Sequence, residues 1–395
     1  MLSVHKVTLA PNNKQKTYFK KAAGIARFSY NWALSKWIEQ YKNGEKPSEI
    51  SLRRELNKIK KTEFPWMLEV TKVAPQQAIK NLGNAFTRFF KKQGAYPRFK
   101  KKGINGSFRT DNGPPTKGVD AINIIGKKIK IPKLGWVKMQ EELRFKGLIK
   151  SVTISRTANR WYAAINVDTS NLPHIRKNHA SVGVDLGIKA LATLSNGQQY
   201  VGPKAHTTLL KKLKRVSRSL SKKVKGSQNH RKQKEKLAKL HAKITNIRKD
   251  SLHKLTTDLV LNYTKIGIEN LNVKGMLANR KLSRHIMDQS FYEFRRQLEY
   301  KSFWYASELI VIDRFFPSSK MCNACGAINK NLKLQDREWV CSCGKKHDRD
   351  INAALNIEQQ MYTVSSTEIY ACGTEGSGKI DMCPLVKPCS VEAGT

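Results

Sequence analysis

Three acidic residues, far apart in the chain, stand where strands end or a helix begins. They are Asp185 in Val182-Gly-Val-Asp-Leu-Gly187, Glu269 in Ile266-Gly-Ile-Glu-Asn270, and Asp350 in His347-Asp-Arg-Asp-Ile-Asn-Ala-Ala354. Carboxylates brought within a few ångströms of one another cannot all ionise unless a cation joins them. Hard oxygen donors select Mg²⁺ or Mn²⁺ over zinc. Two such ions about 3.5–4 Å apart can clamp a phosphodiester, one preparing the attacking water and the other stabilising the departing 3′ oxygen. No Gly-x-Ser-x-Gly elbow, catalytic Cys–His signature or Walker A loop offers a rival chemistry. Each acidic motif alone has a plainer reading. Val-Gly-Val-Asp-Leu-Gly also opens sugar-kinase and actin-like ATPases, Glu269 could be an exposed strand end, and an Asp at the start of a helix caps it. All three in this order, with cysteines just before the last, are far more specific.

Those cysteines are Cys322-x2-Cys325 and Cys341-x-Cys343. Thiolates at this spacing favour one tetrahedral structural Zn²⁺. The second pair is one residue short of the usual Cys-x2-Cys, and His347, four residues beyond Cys343, is the alternative fourth ligand; free buried cysteines are the other reading. Cys372, Cys383 and Cys389 lie in the tail, and the odd total of 7 in a chain with no secretory segment argues against a disulfide framework.

The charge balance names the substrate class. Lys and Arg number 74 against 30 Asp and Glu, a formal charge of +44 and a pI near 10.1. Such a field repels itself in a compact fold and makes sense if a polyanion neutralises it. With 39% hydrophobic residues the chain is a folded protein, not a basic tail. No run of about 18 apolar residues exists for a membrane span, so nucleic acid is the expected partner, no membrane is, and the expected location is the prokaryotic cytoplasm near the nucleoid.

The elements that must position these residues follow from periodicity. Val4 to Leu9 alternates like a strand, within residues 1–10. Residues 11–103 read as helices, with Tyr18, Ala22, Ile25, Ser29, Trp32 and Ala33 on one face and Ile79, Leu82, Phe86 and Phe89 on another. These stripes read as core. From 104 the chain turns to Gly, Pro and β-branched residues: a hairpin at Ile122–Ile131 about Gly126-Lys127, then strands around Val152–Ile154 and Trp161–Val167 joined at Asn159-Arg160. From Ser181 the order is strand, hairpin, helix, strand, helix, strand, helix, an α/β pattern that matches the ribonuclease-H-like fold. Within it, residues 206–249 form a helical hairpin in which Glu235 alone opposes the cations between Lys211 and Lys249. So one-signed a run favours phosphate contact over a merely solvated face. A last helix is expected from Asp350 to Gln360, and residues 361–395 read as a poorly ordered tail.

Taken together, these residues resemble the TnpB family, transposon-encoded relatives of type V CRISPR effectors. The likeness rests on Ser29-Tyr-Asn-Trp-Ala33, Tyr96-Pro-Arg-Phe-Lys100, Phe316-Pro-Ser-Ser-Lys320 leading into Cys322-x2-Cys-Gly326, and Asp348-Arg-Asp-Ile-Asn-Ala-Ala-Leu-Asn-Ile357. It implies an RNA-guided DNA endonuclease with a RuvC-like site holding two Mg²⁺ ions on Asp185, Glu269 and Asp350. The family pattern selects Asp350 over Asp348. The implied multidomain α/β architecture has a first wedge strand (1–10), a helical recognition domain (11–103) and a β-barrel wedge domain (104–180). A RuvC-like nuclease domain (181–319 and 346–360) then encloses a zinc-binding target-nucleic-acid module (320–345). The implied partners are a guide RNA derived from the transposon end and target DNA with a short adjacent motif. Rival readings are an RNA-guided DNA-binding regulator, an accessory transposition protein that binds transposon ends without cleavage, and a DNA-joining transposase on the same fold. The first would be expected to lose a carboxylate, and here all three are present.

Overall fold

The computed structural model describes residues 2–103, 106–112, 122–144, 146–169, 180–333 and 335–371, for 364–371 the backbone only. Cys372, Cys383 and Cys389, and the tail from 372 on, lie outside the described residues. The chain divides into two compact units: Met1–His174 with Leu209–Asn246, and Ile175–Thr208 with Ile247–Thr395.

In the first unit, β1 (Leu2–Leu9) buries alternate residues, as its period-two pattern requires. Three helices follow: α1 (Asn13–Lys42), α2 (Glu49–Ile59) and α3 (Val73–Phe90). Asn12 opens α1 with a capping box to Gln15, and Ser48 opens α2 with one to Ser51. Six strands come next: β2 (Gly106–Asp111), β3 (Asn123–Ile125), β4 (Lys128–Ile131), β5 (Gly135–Lys138), β6 (Leu148–Thr157) and β7 (Arg160–Asp168). They form an antiparallel sheet in the order β1-β7-β6-β2 and a second one, β3-β4-β5. A bridge between Leu9 and Met139 stitches the two. The helices do not form a separate lobe with its own core. The Phe19 ring lies 5.0 Å from that of Trp161 on β7 and 6.0 Å from that of Phe108 on β2, inside one continuous apolar core.

The second unit is built on a five-stranded sheet. Its strands are β8 (Ala180–Asp185), β9 (Ala192–Leu194), β10 (Gln199–Tyr200), β11 (Tyr263–Glu269) and β12 (Glu308–Ile312), in the order β10-β9-β8-β11-β12. Strands β8, β11 and β12 run parallel. Between β10 and β11 come α4 (Ala205–Ser221) and α5 (Gln228–Asn262). The sequence suggests that the second arm of this hairpin stops at 249 and that a further helix follows to about Tyr263. The two are one helix, α5, because no glycine or proline interrupts residues 228–262. The charged middle of the hairpin, Leu209–Asn246, groups with the first unit, where Glu235 accepts a hydrogen bond from Asn159 at 2.6 Å and pairs with Lys239 at 2.8 Å. After β11 come α6 (Val273–Ala278) and α7 (Ser283–Gln289), two short helices without a clear sequence signal, and α8 (Phe291–Tyr305). Strands β13 (Glu338–Val340) and β14 (Lys346–Asp348) lead into α9 (Arg349–Ala371), which continues eleven residues past the expected stop at 360. Met361, buried beside Ile310, Ile312 and Ile357, holds the first turn of this continuation on the sheet. Among the described residues no helix is long and apolar enough to cross a membrane.

Candidate active site

The alternation of a strand decides which way each carboxylate points. On β8, Val182 and Val184 face an apolar core formed with Leu259, Phe291 and Leu298; on β11, Ile266 and Ile268 face the same core. Gly183, Asp185, Gly267 and Glu269 therefore face the other side, where α9 packs. The register pairs Gly183 with Gly267 and Val184 with Ile268, so Asp185 and Glu269 end neighbouring parallel strands side by side, about 4.8 Å apart in the hydrogen-bonding direction.

The two glycines bring the helix in. A Cβ added to Gly183 would lie 2.0 Å from the Ala354 carbonyl oxygen and 2.6 Å from the Glu358 nitrogen. One added to Gly267 would lie 2.5 Å from Met361 Sδ. Helix α9 thus rests almost directly on the sheet backbone, through its buried Ala353 and Ala354. Its first turn carries Asp350. Asp348 Oδ1 caps that turn, accepting from the Asp350 and Ile351 backbone N–H groups at 3.0 Å each. Asp348 is the cap, and Asp350 is the carboxylate turned toward the strand ends.

The electrostatics of Asp185 record this convergence. Burial, followed by the charges of Glu269 and Asp350, pushes its carboxyl up to about 8, with Arg349 and Arg337 opposing the rise only in part. Burial also raises Glu269, whose Oε1 accepts a hydrogen bond from the Ser318 hydroxyl. Asp350 is paired to Arg337, whose Nη1 lies 3.2 Å from Oδ1 and 3.4 Å from Oδ2. The three carboxylates are not drawn into one tight cluster. Among the described residues, only the four cysteines form a group of metal-ligating side chains with all donor atoms within 4.8 Å of one another. A wider acidic set suits two ions, which must themselves stand about 3.5–4 Å apart. The donors fit hard divalent cations: all are carboxylate oxygens, and the burial and neighbouring negative charge that raise Asp185 are what cations would offset.

The cysteines Cys322, Cys325, Cys341 and Cys343 converge as a donor set that fits zinc. Gly344, at φ +84°, closes the turn between β13 and β14 with its N–H on the Cys341 carbonyl, which lets the shortened Cys341-x-Cys343 spacing present both sulfurs. Gly326, at φ +76°, does the same for the first pair. His347 lies outside the four-sulfur group, with its Nε2 3.0 Å from Cys322 Sγ and its ring 4.8 Å from that of Trp339.

Sequence reasoning missed Ser318, Arg337 and the struts from α9. Asn352 and Asn356, almost fully buried, donate to the Met321 carbonyl at 2.7 Å each, and Asn356 donates to the Ser318 carbonyl at 2.7 Å. The Asn352-Ala-Ala-Leu-Asn356 spacing was a usable signal. It puts two amides one helical turn apart on a face that small residues hold against neighbouring backbone.

The mixed sheet, the helix packed on it and the cysteine module place the chain in the fold class of the Cas12 effectors. A Cas12f1 chain solved by cryo-electron microscopy with an sgRNA and target DNA matches with a TM-score of 0.55 at 16% identity, over 87% of this chain and 81% of that one. Three family models match: "Probable transposase" over residues 164–280, "Cas12f1-like, TNB domain" over 291–357 and "Helix-turn-helix domain" over 1–46. A "Putative RNA-guided DNA endonuclease" of Streptomyces pristinaespiralis is 37% identical over 88% of this chain and 86% of its own length. InsQ of Escherichia coli (strain K12), given the same description, is 34% identical over 94% of both chains. The protein belongs to the TnpB family.

Proposed function

We propose that this protein is an RNA-guided, divalent-metal-dependent DNA endonuclease that cuts its target by phosphodiester hydrolysis at Asp185, Glu269 and Asp350. The observation that carries the proposal is geometric: Asp185 and Glu269 end neighbouring parallel strands, and Asp350 opens the helix packed on them, near enough for both charges to act on the buried Asp185. Two Mg²⁺ ions held by these carboxylates would activate the attacking water and offset charge on the departing 3′ oxygen. Ser318 and Arg337 hold the outer carboxylates in position. Burial of the strand ends restricts water and strengthens every charge interaction within the site. The specificity of the cut would come from base pairing between a guide RNA, derived from the transposon end, and the target strand.

The first unit, with its recognition helices and the wedge sheets that would close as a barrel, would hold the guide and read the short motif beside the target. The basic hairpin supports this reading: Lys212, Arg215, Lys236, Lys239 and Lys243 line a groove between α4 and α5 over Val216 and Leu240, suited to a phosphate backbone. A zinc ion on the four cysteines would stiffen the module between β12 and α9 that contacts Asp350. The protein would act in the prokaryotic cytoplasm, at the nucleoid.

The test is cleavage of a matched target by guide-loaded protein in Mg²⁺. Asp185→Ala, Glu269→Ala and Asp350→Ala should each abolish cleavage while target affinity stays within about threefold. Wild-type rate in any of them would remove that carboxylate from the site. Absence of cleavage in the wild-type complex, with tight target binding, would favour a binding regulator.

A further inference from the structure

Glu269 also forms part of the wall of a cleft of about 420 Å³, which Leu186, the residue after Asp185, lines as well. Its lining includes Lys274, Tyr292, Arg295, Arg296 and Arg314, with Glu299 as the second carboxylate. Two of these cations are already neutralised. Arg295 gives Nε–H to Glu299 at 3.0 Å and Nη1–H to Asn270 Oδ1 at 2.8 Å. Arg296 holds Glu293 with two hydrogen bonds of 2.8 Å. Lys274 and Arg314 have no carboxylate partner among the described residues, and both are exposed. Arg314 is tethered at one edge. Its Nε donates to the Asn270 carbonyl at 3.3 Å, and Asn270, the residue after Glu269, donates its own N–H to the Ile312 carbonyl at 3.1 Å. The terminal nitrogens of Arg314 remain available beside a proposed metal ligand. Tyr292, 71% exposed, stands in the same lining with its ring in solvent.

We infer that this cleft is the track of the DNA strand being cut, with Arg314 and Lys274 gripping a phosphate next to the scissile one and Tyr292 stacking an adjacent base. The inference rests on the active-site reading above and adds positioning residues to it. A guanidinium bound through one edge presents its other N–H groups as a fork for phosphate oxygens. An exposed tyrosine beside a cationic track suits a single strand, whose bases are free to stack on it. A strand entering here would bring its backbone past Glu269 without placing a second negative charge against unneutralised acids, because Arg314 answers the neighbouring phosphate.

The test is single-turnover cleavage by guide-loaded protein on targets with a neutral methylphosphonate at each phosphate flanking the cut. Arg314→Ala should slow cleavage about 10- to 100-fold, the loss of one charge-assisted contact, with target affinity nearly unchanged. Arg314→Lys should recover part of the rate, and Lys274→Ala and Tyr292→Ala should each slow it several-fold. In the wild type, one flanking methylphosphonate should cause a similar loss, and Arg314→Ala should not be slowed further on that substrate. Three results overturn the inference: no flanking methylphosphonate slows the wild type, the two losses multiply, or Arg314→Ala cuts at full rate. Glu269→Gln separates the failures. If it cuts normally, the active-site reading fails; if it is inactive while Arg314→Ala cuts at full rate, this inference fails alone.

Discussion

The contact between Gly183 and α9 gives the sharpest prediction. In Gly183→Ala the new methyl meets main-chain atoms, the Ala354 oxygen at 2.0 Å and the Glu358 nitrogen at 2.6 Å. Neither can rotate aside. Real Cβ atoms essentially never approach within 3.0 Å, so α9 must withdraw from β8 by at least 1.0 Å. Asp350 lies one turn before Ala354 on the same helix and moves with it, whereas Asp185, two residues along β8, does not. Overpacking of this kind costs about 1–3 kcal/mol of stability. A misplacement of about 1 Å at a reacting centre costs on the order of 100-fold in rate. The assay is single-turnover cleavage by guide-loaded protein in Mg²⁺, with target affinity and thermal midpoint measured alongside. The expected result is a loss of about 100-fold in rate with affinity retained. Gly267→Ala is the graded comparison: its closest neighbour, Met361 Sδ at 2.5 Å, is the end of a flexible side chain and can yield, so the loss should be smaller. Gly24→Ala, in α1 with nothing within 4 Å, should cut normally and gain up to about 1 kcal/mol of helix stability. Wild-type cleavage by Gly183→Ala, or a larger defect in Gly267→Ala, would refute the packing account.

Two further outcomes follow from the site. Between the ordinary carboxyl value of about 4 and the folded value of about 8, native Asp185 keeps a proton that the unfolded chain has lost, so metal-free stability falls as pH rises through that window. Asp185→Asn should flatten this slope, raise the metal-free thermal midpoint at pH 8 and remove stabilisation by Mg²⁺; melts with an unchanged slope would sink the assignment. Elemental analysis should find one zinc in the wild type. Cys322→Ser should lose it and slow cleavage through Arg337, whereas His347→Ala should keep the metal; full zinc occupancy in Cys322→Ser would refute the four-sulfur set.

Much of this was legible in the residues, and what was not has a physical cause. The three acidic positions could be found because each closes a short apolar strand or opens a helix, and periodicity reports that locally. Asp350 and Asp348 look alike in local pattern; the family resemblance selects Asp350, and the hydrogen bonds of the first turn show why, with Asp348 as the cap. Arg337 and Ser318 reach Asp350 and Glu269 across gaps of 13 and 49 residues, and no local pattern encodes such pairs. The helical and β segments of the first unit differ in composition, which invites a boundary near residue 103. Phe19, Phe108 and Trp161 close it, because aromatic side chains from helix and sheet fill one core.

The cysteine module and the proposed active site are mechanically one object. The chain leaves β12 at Ile312, passes Ser318, which holds Glu269, and enters the first cysteine pair. It returns through Arg337, which holds Asp350, and the second pair, then starts α9. Asn352 and Asn356 of α9 tie back to the Ser318–Met321 segment. The two outer carboxylates are thus oriented from within a loop that would otherwise have little to hold it: its own apolar cluster consists of Cys322, Leu332, Trp339 and Cys341. So small a core cannot offset the entropy of ordering such a segment, whereas a bound metal can supply that free energy directly. Any loosening of the sulfur cluster must then be felt at Glu269 and Asp350 before it is felt in the sheet, because Ser318 and Arg337 sit on the loop while Asp185 sits on a strand packed on both faces.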